Sequence, residues 1–398
     1  MPTPVMACLF LLKPGRQKAK SKDMRPNNAM TFYFLTVEES LSAPGLKERS
    51  PGSTLMIFVA EKSKHELTRL MQGLEERGIP YFGAIFPKLI YDNEQLEHGF
   101  IINTLDRVES IHVIKDLNTG HIEIPHYNFS RDEGHEVCAI TFVDGLTSNI
   151  SNYLSKLFSI FGNKMSYFGG GAGSLSLTQM PCVFSDQGIY QDAAVLAFQE
   201  VKSNLSVKHG WEKIHGPIVA TKTEKNIVKE LNWENAFDVY QNIVEQDSGM
   251  KFTGDNFFDI AKGYPFGMVK EYSESIVRDP LSLNENRELI CVGEVPQNSV
   301  LNILKGKKET LLEAATSAAV AGINTDIQAR RCLVIDCISR VLFLKNDFDQ
   351  ELSNVKRVIN NKFSEITISG ALTLGEISSY DGGYLEFFNK TMVVGVFE

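Results

Sequence analysis

Three times along this chain a strand-length apolar run is followed by an amphipathic helical stripe, a second short strand and a hairpin. The first passage is Leu55-Met56-Ile57-Phe58-Val59-Ala60, then Leu67, Leu70, Met71 and Leu74 at helical spacing, a strand over 79–86 and extended segments over 89–105. The second is Cys138-Ala139-Ile140-Thr141-Phe142-Val143, the stripe Ile150, Tyr153, Leu154, Leu157, Phe158 and Phe161, a strand from Met165, and a hairpin in 181–198 turning at Ser185-Asp186-Gln187-Gly188. The third is a strand over 332–338, the stripe Phe348, Leu352, Val355, Val358, Ile359 and Phe363, a strand over 366–371 and a closing hairpin over 384–397. This order predicts an α/β fold with mixed sheets, built from three strand–helix–strand–hairpin units in two associated domains. Each helix should cover a sheet through a right-handed crossover between parallel strands.

Aligning the three passages puts Gly83, Gly169 and Gly370 at one position, at the end of the second strand. The middle passage is the richest: Tyr167-Phe168-Gly169-Gly170-Gly171-Ala172-Gly173. Glycine admits close approach by another backbone or by a ligand. The run therefore reads either as architecture, packed against a neighbouring element, or as the floor of a small-molecule pocket at a strand-end rim. It is not a dinucleotide loop, because Ser174 stands where the third glycine would be. No lysine-serine or lysine-threonine follows it, which excludes a phosphate-binding P-loop.

Charge narrows the partners. Residues 1–29 carry a net +5 and the rest −14, within an overall −9. An acidic body argues against a nucleic-acid surface, whose affinity rests on neutralising phosphates. The six cysteines (Cys8, Cys138, Cys182, Cys291, Cys332 and Cys337) contain no CxxC pair, and most lie in apolar strand-like runs. They read as buried, reduced thiols of a cytoplasmic protein. The eight histidines show no metal-binding spacing, so neither a metal nor a cofactor is expected. No run reaches the eighteen or so apolar residues of a membrane span. Residues 1–29 read as a disordered leader, with Met30 a possible working start, and 1–53 together as leader and linker.

Between the second and third units the chain changes character. Residues 219–231 read as extended, Ala236-Phe237-Asp238-Val239-Tyr240 starts a short helix, and 252–296 reads as strands and turns. Leu311, Leu312, Ala315, Ala318, Ala319 and Gly322 mark a close-packing helix. This stretch also carries short motifs: Gly210-Trp211 with Gly216-Pro217, Thr221-Lys222, Val277-Arg278-Asp279-Pro280-Leu281 and Gly293-Glu294-Val295-Pro296. Further on come Asp336-Cys337-Ile338-Ser339-Arg340, Gly375-Glu376-Ile377 and Asn389-Lys390-Thr391.

In this order the motifs resemble those of FIST-domain proteins, whose patterns include GW-x-P-x-G, V-R-D-P-L, G-E-[IV]-P, S-C-x-x-R, G-E-I, N-x-T and a central G-G-x-A-G. The resemblance spans about 54–398, with an N-terminal domain over 54–235 and a C-terminal domain over 236–398. The chain departs from the pattern at Asp336 (usually serine), Ala371 (usually aromatic), Phe388 (usually histidine) and Ile214 (usually proline). The resemblance implies a non-catalytic sensory module of the kind common in bacterial signalling, binding a small ligand such as an amino acid. With no output domain in the sequence, it would act through a separate partner protein.

The candidate ligand-binding residues are Gly169, Gly170, Gly171, Arg278, Asp279, Cys337, Arg340, Glu376 and Asn389. Arg278 and Arg340 offer guanidinium forks to a carboxylate; alternatively Arg278 pairs with Asp279, and Arg340 with Asp336 or Asp347. Glu376 could receive an ammonium group or be an exposed loop carboxylate. Asn389 fits a turn better than a glycosylation acceptor. Cys337 is the one tempting nucleophile, but only Arg340 stands near it in sequence and no histidine follows it. Two other readings stay open: an interaction scaffold with a vestigial pocket, and a cysteine-dependent hydrolase or transferase.

Overall fold

The computed structural model describes residues 31–43, 46, 49–127, 136–270, 274–379 and 384–398. The expected leader over 1–29, and Cys8 with it, lies outside them. Part of the stretch expected to be linker is structured. β1 (Thr31–Phe34) leads into α1 (Val37–Ser42), whose start is fixed by a reciprocal cap between Thr36 and Glu39.

The first unit continues with β2 (Thr54–Ala60), a 3-10 turn (Glu61–Glu66), α2 (Leu67–Glu75), β3 (Tyr81–Phe86), β4 (Lys88–Tyr91), β5 (Glu94–Leu96) and β6 (Phe100–Leu105). The second is β7 (Val108–Ile114), β8 (Val137–Asp144), α3 (Ile150–Phe161), β9 (Ser166–Ala172), β10 (Val183–Ser185), β11 (Gly188–Tyr190) and β12 (Ala194–Glu200). β13 (Ser203–Lys208) precedes a long excursion. This contains β14 (Glu212–Glu224), β15 (Ile227–Leu231), β16 (Glu234–Asn235), α4 (Ala236–Ser248), α5 (Phe257–Ala261), β17 (Phe266–Met268), β18 (Ile276–Arg278), β19 (Pro280–Leu283), β20 (Leu289–Cys291), β21 (Val300–Lys305) and α6 (Lys308–Ile323). The chain closes with β22 (Arg331–Cys337), α7 (Ile338–Leu344), α8 (Phe348–Lys362), β23 (Ile368–Thr373), β24 (Glu376–Ser378), β25 (Glu386–Phe388) and β26 (Met392–Phe397).

Three six-stranded mixed sheets share one plan. β2 runs parallel to β3, β8 to β9 and β22 to β23. β6, β12 and β26 return antiparallel to β2, β8 and β22, and are flanked by β1, β7 and β13. The hairpin after each second strand then leaves its own sheet. β10–β11 extends β3, β24–β25 extends β9, and β4–β5 extends β23. Each sheet lends a hairpin to one neighbour and borrows one from the other. The three are tied in a ring.

This exchange corrects the expected hairpin over 384–397. β25 pairs with β24 beside β9, whereas β26 pairs with β22 and β13 in another sheet. Alternation along a sequence marks strands but does not name their partners. The intervening stretch also differs in detail. α4 runs on to Ser248, capped by Asn235 at its start and Gly249 at its end, and 252–296 contains the helix α5. The fourth, eight-stranded sheet combines β14–β16 with β17–β21, so residue 235 is not a boundary between sheets.

The three glycines do share a register position, but it lies within the strands rather than at their ends as expected. Gly83 faces Ile57, Gly169 faces Thr141 and Gly370 faces Val334 across the parallel pairs. A Cβ at any of them would lie 1.7–1.9 Å from the facing carbonyl oxygen. The parallel strands approach there as only glycine permits. Inside the ring, Phe58, Phe86 and Phe142 meet edge to face with centroids 5.4–5.6 Å apart, and Phe168 meets Phe397 likewise at 5.4 Å. The helices lie outside, α3 burying Ile150, Tyr153, Leu154, Leu157 and Phe161 along one stripe.

Candidate functional site

β22 and β23 end side by side at Cys337 and Thr373. Ligands of α/β sheets favour such carboxyl ends. Here the motif segments, scattered over some two hundred residues of sequence, come together as one buried polar cluster. β18 delivers Arg278, the link to β19 delivers Asp279, α7 delivers Arg340, β24 delivers Glu376, and the turn before β26 delivers Asn389, Lys390 and Thr391.

Arg340 is fully buried, and its guanidinium is spent inside the protein. Nε and Nη2 donate to Glu351 at 3.1 and 2.6 Å; Nη1 donates to the His209 carbonyl at 2.6 Å and Nη2 to that of Leu311 at 3.1 Å. Burial works against its charge, but Glu351 and Asp336 outweigh it and hold the group firmly cationic. Asp336 Oδ1 lies 3.3 Å from Arg340 Nε, yet neither Asp336 oxygen makes a hydrogen bond of good geometry. Burial, with Glu351 beside it, pushes the Asp336 carboxyl well above the usual range, against the pull of Arg340.

Arg278 is used in the same way. Nε donates to the Glu294 carbonyl at 2.9 Å, and Nη1 to the carbonyls of Val277 and Phe387 and to Asn389 Oδ1 at 3.0–3.1 Å. Burial lowers its pKa to about 10. Asp279 Oδ2 pairs with Lys390 Nζ at 3.0 Å rather than with Arg278. The Lys390 ammonium also donates to the Lys262 carbonyl and sits 4.6 Å from the centre of the Trp211 ring. Two polar atoms of this chain of contacts have no protein partner: Asp279 Oδ1 and Asn389 Nδ2.

Glu376 is on a strand and fully buried, which corrects the alternative of an exposed loop carboxylate. Its Oε2 accepts from the Thr391 amide at 3.1 Å and hydroxyl at 2.5 Å, and its Oε1 accepts from Thr373 at 3.2 Å. Burial nevertheless raises its pKa to about 7. Directly across the strand pair stands Gly170, with Gly169 opposite Ile377. The Gly171 amide donates to the Gly375 carbonyl at 2.7 Å. The glycine run is thus zipped to the strand that carries Glu376. A Cβ on Gly170 would meet Thr373, Gly375 and Ile335 at 3.0–3.1 Å, and one on Gly171 would meet Gly145 and Leu374 at 3.2–3.3 Å.

Cys337 has Ser339 Oγ 3.0 Å from its sulfur. Burial, followed by the neighbouring Glu376 carboxylate, pushes its thiol far above the usual value. The thiolate required of a nucleophile is disfavoured. His209, the histidine of this region, accepts from the Trp211 amide at 2.8 Å through Nδ1 and is held down to about 4 by burial.

Several members of the cluster escaped sequence reasoning. Glu351 occupies the buried face of α8 between Phe348 and Leu352, where a charged residue needs a partner; that placement was the available signal. Lys390 and Trp211 stood inside quoted motifs, but their mutual contact depends on strands far apart in sequence. Among the described residues, no group of three or more histidine, cysteine, aspartate or glutamate side chains has the arrangement to hold a metal ion.

The architecture and the strand-end cluster define a mixed-sheet α/β protein in which several of the sequence motifs meet in one buried polar cluster. Comparison with family profiles finds a FIST N domain over residues 54–234 and a FIST C domain over 236–379. The chain belongs to the FIST-domain family, whose domains are generally sensory, small-ligand-binding modules of signal transduction. A search of curated proteins gives no match. No helix among the described residues is long and apolar enough to cross a membrane.

Proposed function

We propose that this chain is a sensory module that binds a small polar metabolite, an amino acid or related carboxylate, at the carboxyl ends of β22 and β23 and signals through a separate partner. One observation carries the reading. In a cluster where the arginines, Glu376 and Lys390 have protein partners, Asp279 Oδ1 and Asn389 Nδ2 do not. One accepts and the other donates, and they sit on side chains joined through Arg278 and Lys390. That pair suits an ammonium and a carboxylate of one small zwitterion. Arg278 and Arg340 then act as clamps that hold the site's shape, and Gly169, Gly170 and Gly171 as its close-packed wall.

The site is closed, with Asp279 and Asn389 each 2 % exposed. Binding there requires the surrounding backbone to shift, and that coupling is what lets a sensor report occupancy. Five buried free thiols fit a reducing, cytoplasmic setting. A thermal-shift panel of amino acids and small carboxylates tests the reading. A ligand at a hundredfold over its Kd should add about 2.7 kcal/mol of stability, and Asn389→Ala should weaken that ligand. Silence across a broad panel, with the protein folded, overturns the proposal.

A further inference from the structure

At the opposite end of β22 lies a second cleft, with a volume of about 230 Å³. It opens where the return strands of all three sheets finish: β6 at Asp106, β12 at Gln199 and Glu200, and β26 at Glu398, with Arg331 at the start of β22. Five residues separate Arg331 from Cys337, about 20 Å along an extended strand, so the cleft is distinct from the motif cluster.

Arg331 is 1 % exposed. Its Nη2 donates to the Thr104 carbonyl at 3.3 Å, and its guanidinium lies 6.0 Å from the Phe397 ring centre. Nε and Nη1 have no protein acceptor, although the charge of Asp106 favours the cation through space. Burial lowers its pKa to about 10, which leaves it cationic at neutral pH. An unpaired buried cation is costly, and Arg340 avoids that state through its ion pairs with Glu351 and Asp336.

Gln199 supplies the complement. It is 2 % exposed, and its orientation is set by Nε2 donating to the Asp106 carbonyl at 3.0 Å. Its Oε1 is left without a donor. Arg331, with two unmet donors, and Gln199, with one unmet acceptor, are thus both lining residues of the same small cleft. Its volume is below the 300–1,000 Å³ or so of drug-sized pockets, which favours a ligand of a few heavy atoms.

We propose that this cleft is a second binding site, for a small carboxylate bearing a neighbouring hydroxyl or amine. The carboxylate takes the free donors of Arg331, and the hydroxyl or amine donates to Gln199 Oε1. The site lies on strands from all three sheets, so an occupant there braces the ring from the end opposite the motif cluster.

The test is a titration of the full chain, labelled with 15N-arginine, in which the side-chain Nε–H of Arg331 is followed as lactate, alanine, propionate or inorganic phosphate is added to about 10 mM. Lactate or alanine should move that resonance saturably, and propionate, lacking the second donor, should bind about tenfold more weakly. Gln199→Leu should erase the lactate–propionate difference, while Asn389→Ala, in the motif cluster, should leave it intact. The proposal fails if no probe moves the Arg331 resonance. It fails equally if phosphate and propionate match lactate, or if Asn389→Ala abolishes the effect while Gln199→Leu does not. The wild-type titration decides the matter even if a variant does not fold.

Discussion

Arg340 on α7 and Glu351 on α8 form a two-point ion pair, at 3.1 and 2.6 Å, with neither side chain exposed. The pair joins two outer helices to the strand-end cluster, because the same guanidinium also reaches the carbonyls of His209 and Leu311. Removing one partner leaves the other charge buried. Arg340→Ala or Glu351→Gln should each destabilise the fold by about 3–5 kcal/mol, measured by urea denaturation. Replacing both with methionine should recover most of that loss. A cost near zero for either single change would mean that the pair is open to water in solution.

The glycine run separates into positions of different tolerance. At Gly169 an added Cβ would lie 1.7 Å from the Thr141 carbonyl oxygen, which neither strand of the pair can vacate. Gly169→Ala should cost more than about 4 kcal/mol and yield little folded protein. At Gly170 the nearest atom would be Thr373 Cγ2 at 3.0 Å, a side-chain methyl in the cluster. Gly170→Ala should fold at a cost of about 1–3 kcal/mol and lose affinity for the panel ligand. Circular dichroism with thermal melts of the two variants checks the contrast.

Glu376 gives the fold a pH dependence of defined sign. It keeps its proton up to about pH 7 in the folded chain, against an ordinary value of 4.5. Between those values the native state binds more protons than the unfolded state. Stability from this group is therefore full below pH 4.5 and is lost as pH rises to 7. Asp336, raised by burial, acts in the same sense, and His209, lowered by burial from 6.5 to about 4, acts in the opposite one over most of that range, so the wild-type profile alone mixes several groups. The difference between Glu376→Gln and wild type isolates the carboxyl. Read from urea midpoints, the variant should gain on the wild type as pH rises from about 4.5 to 7, by up to about 3 kcal/mol.

The thiols should be silent in the native protein. Cys138 and Cys332 are pushed up to about 12 by burial, and Cys182, Cys291 and Cys337 are raised as well, again chiefly by burial. In a Cys8→Ser background, alkylation near pH 8 should leave all five unmodified until urea is added. Rapid native modification of Cys337 would reopen the hydrolase reading.

The amino-acid sequence by itself marked most of the strands and helices, the α/β class and the family. Those properties are local: apolar spacing reports which face of an element is buried, and short motifs keep their order along the chain. It also placed Gly83, Gly169 and Gly370 in one position, because each follows the same number of residues into its strand. What the sequence left open was pairing. Nothing local to β4–β5, β10–β11 or β24–β25 says that each hairpin joins another sheet, since strand hydrogen bonds are made by backbone that every residue shares. Arg340 does pair with Asp336, one of the two partners its sequence neighbourhood offered, but only the packing of α8 on α7 put Glu351 against it as well. Tertiary structure alone decided which arginines were spent on the fold and which, at Arg331, kept donors to spare.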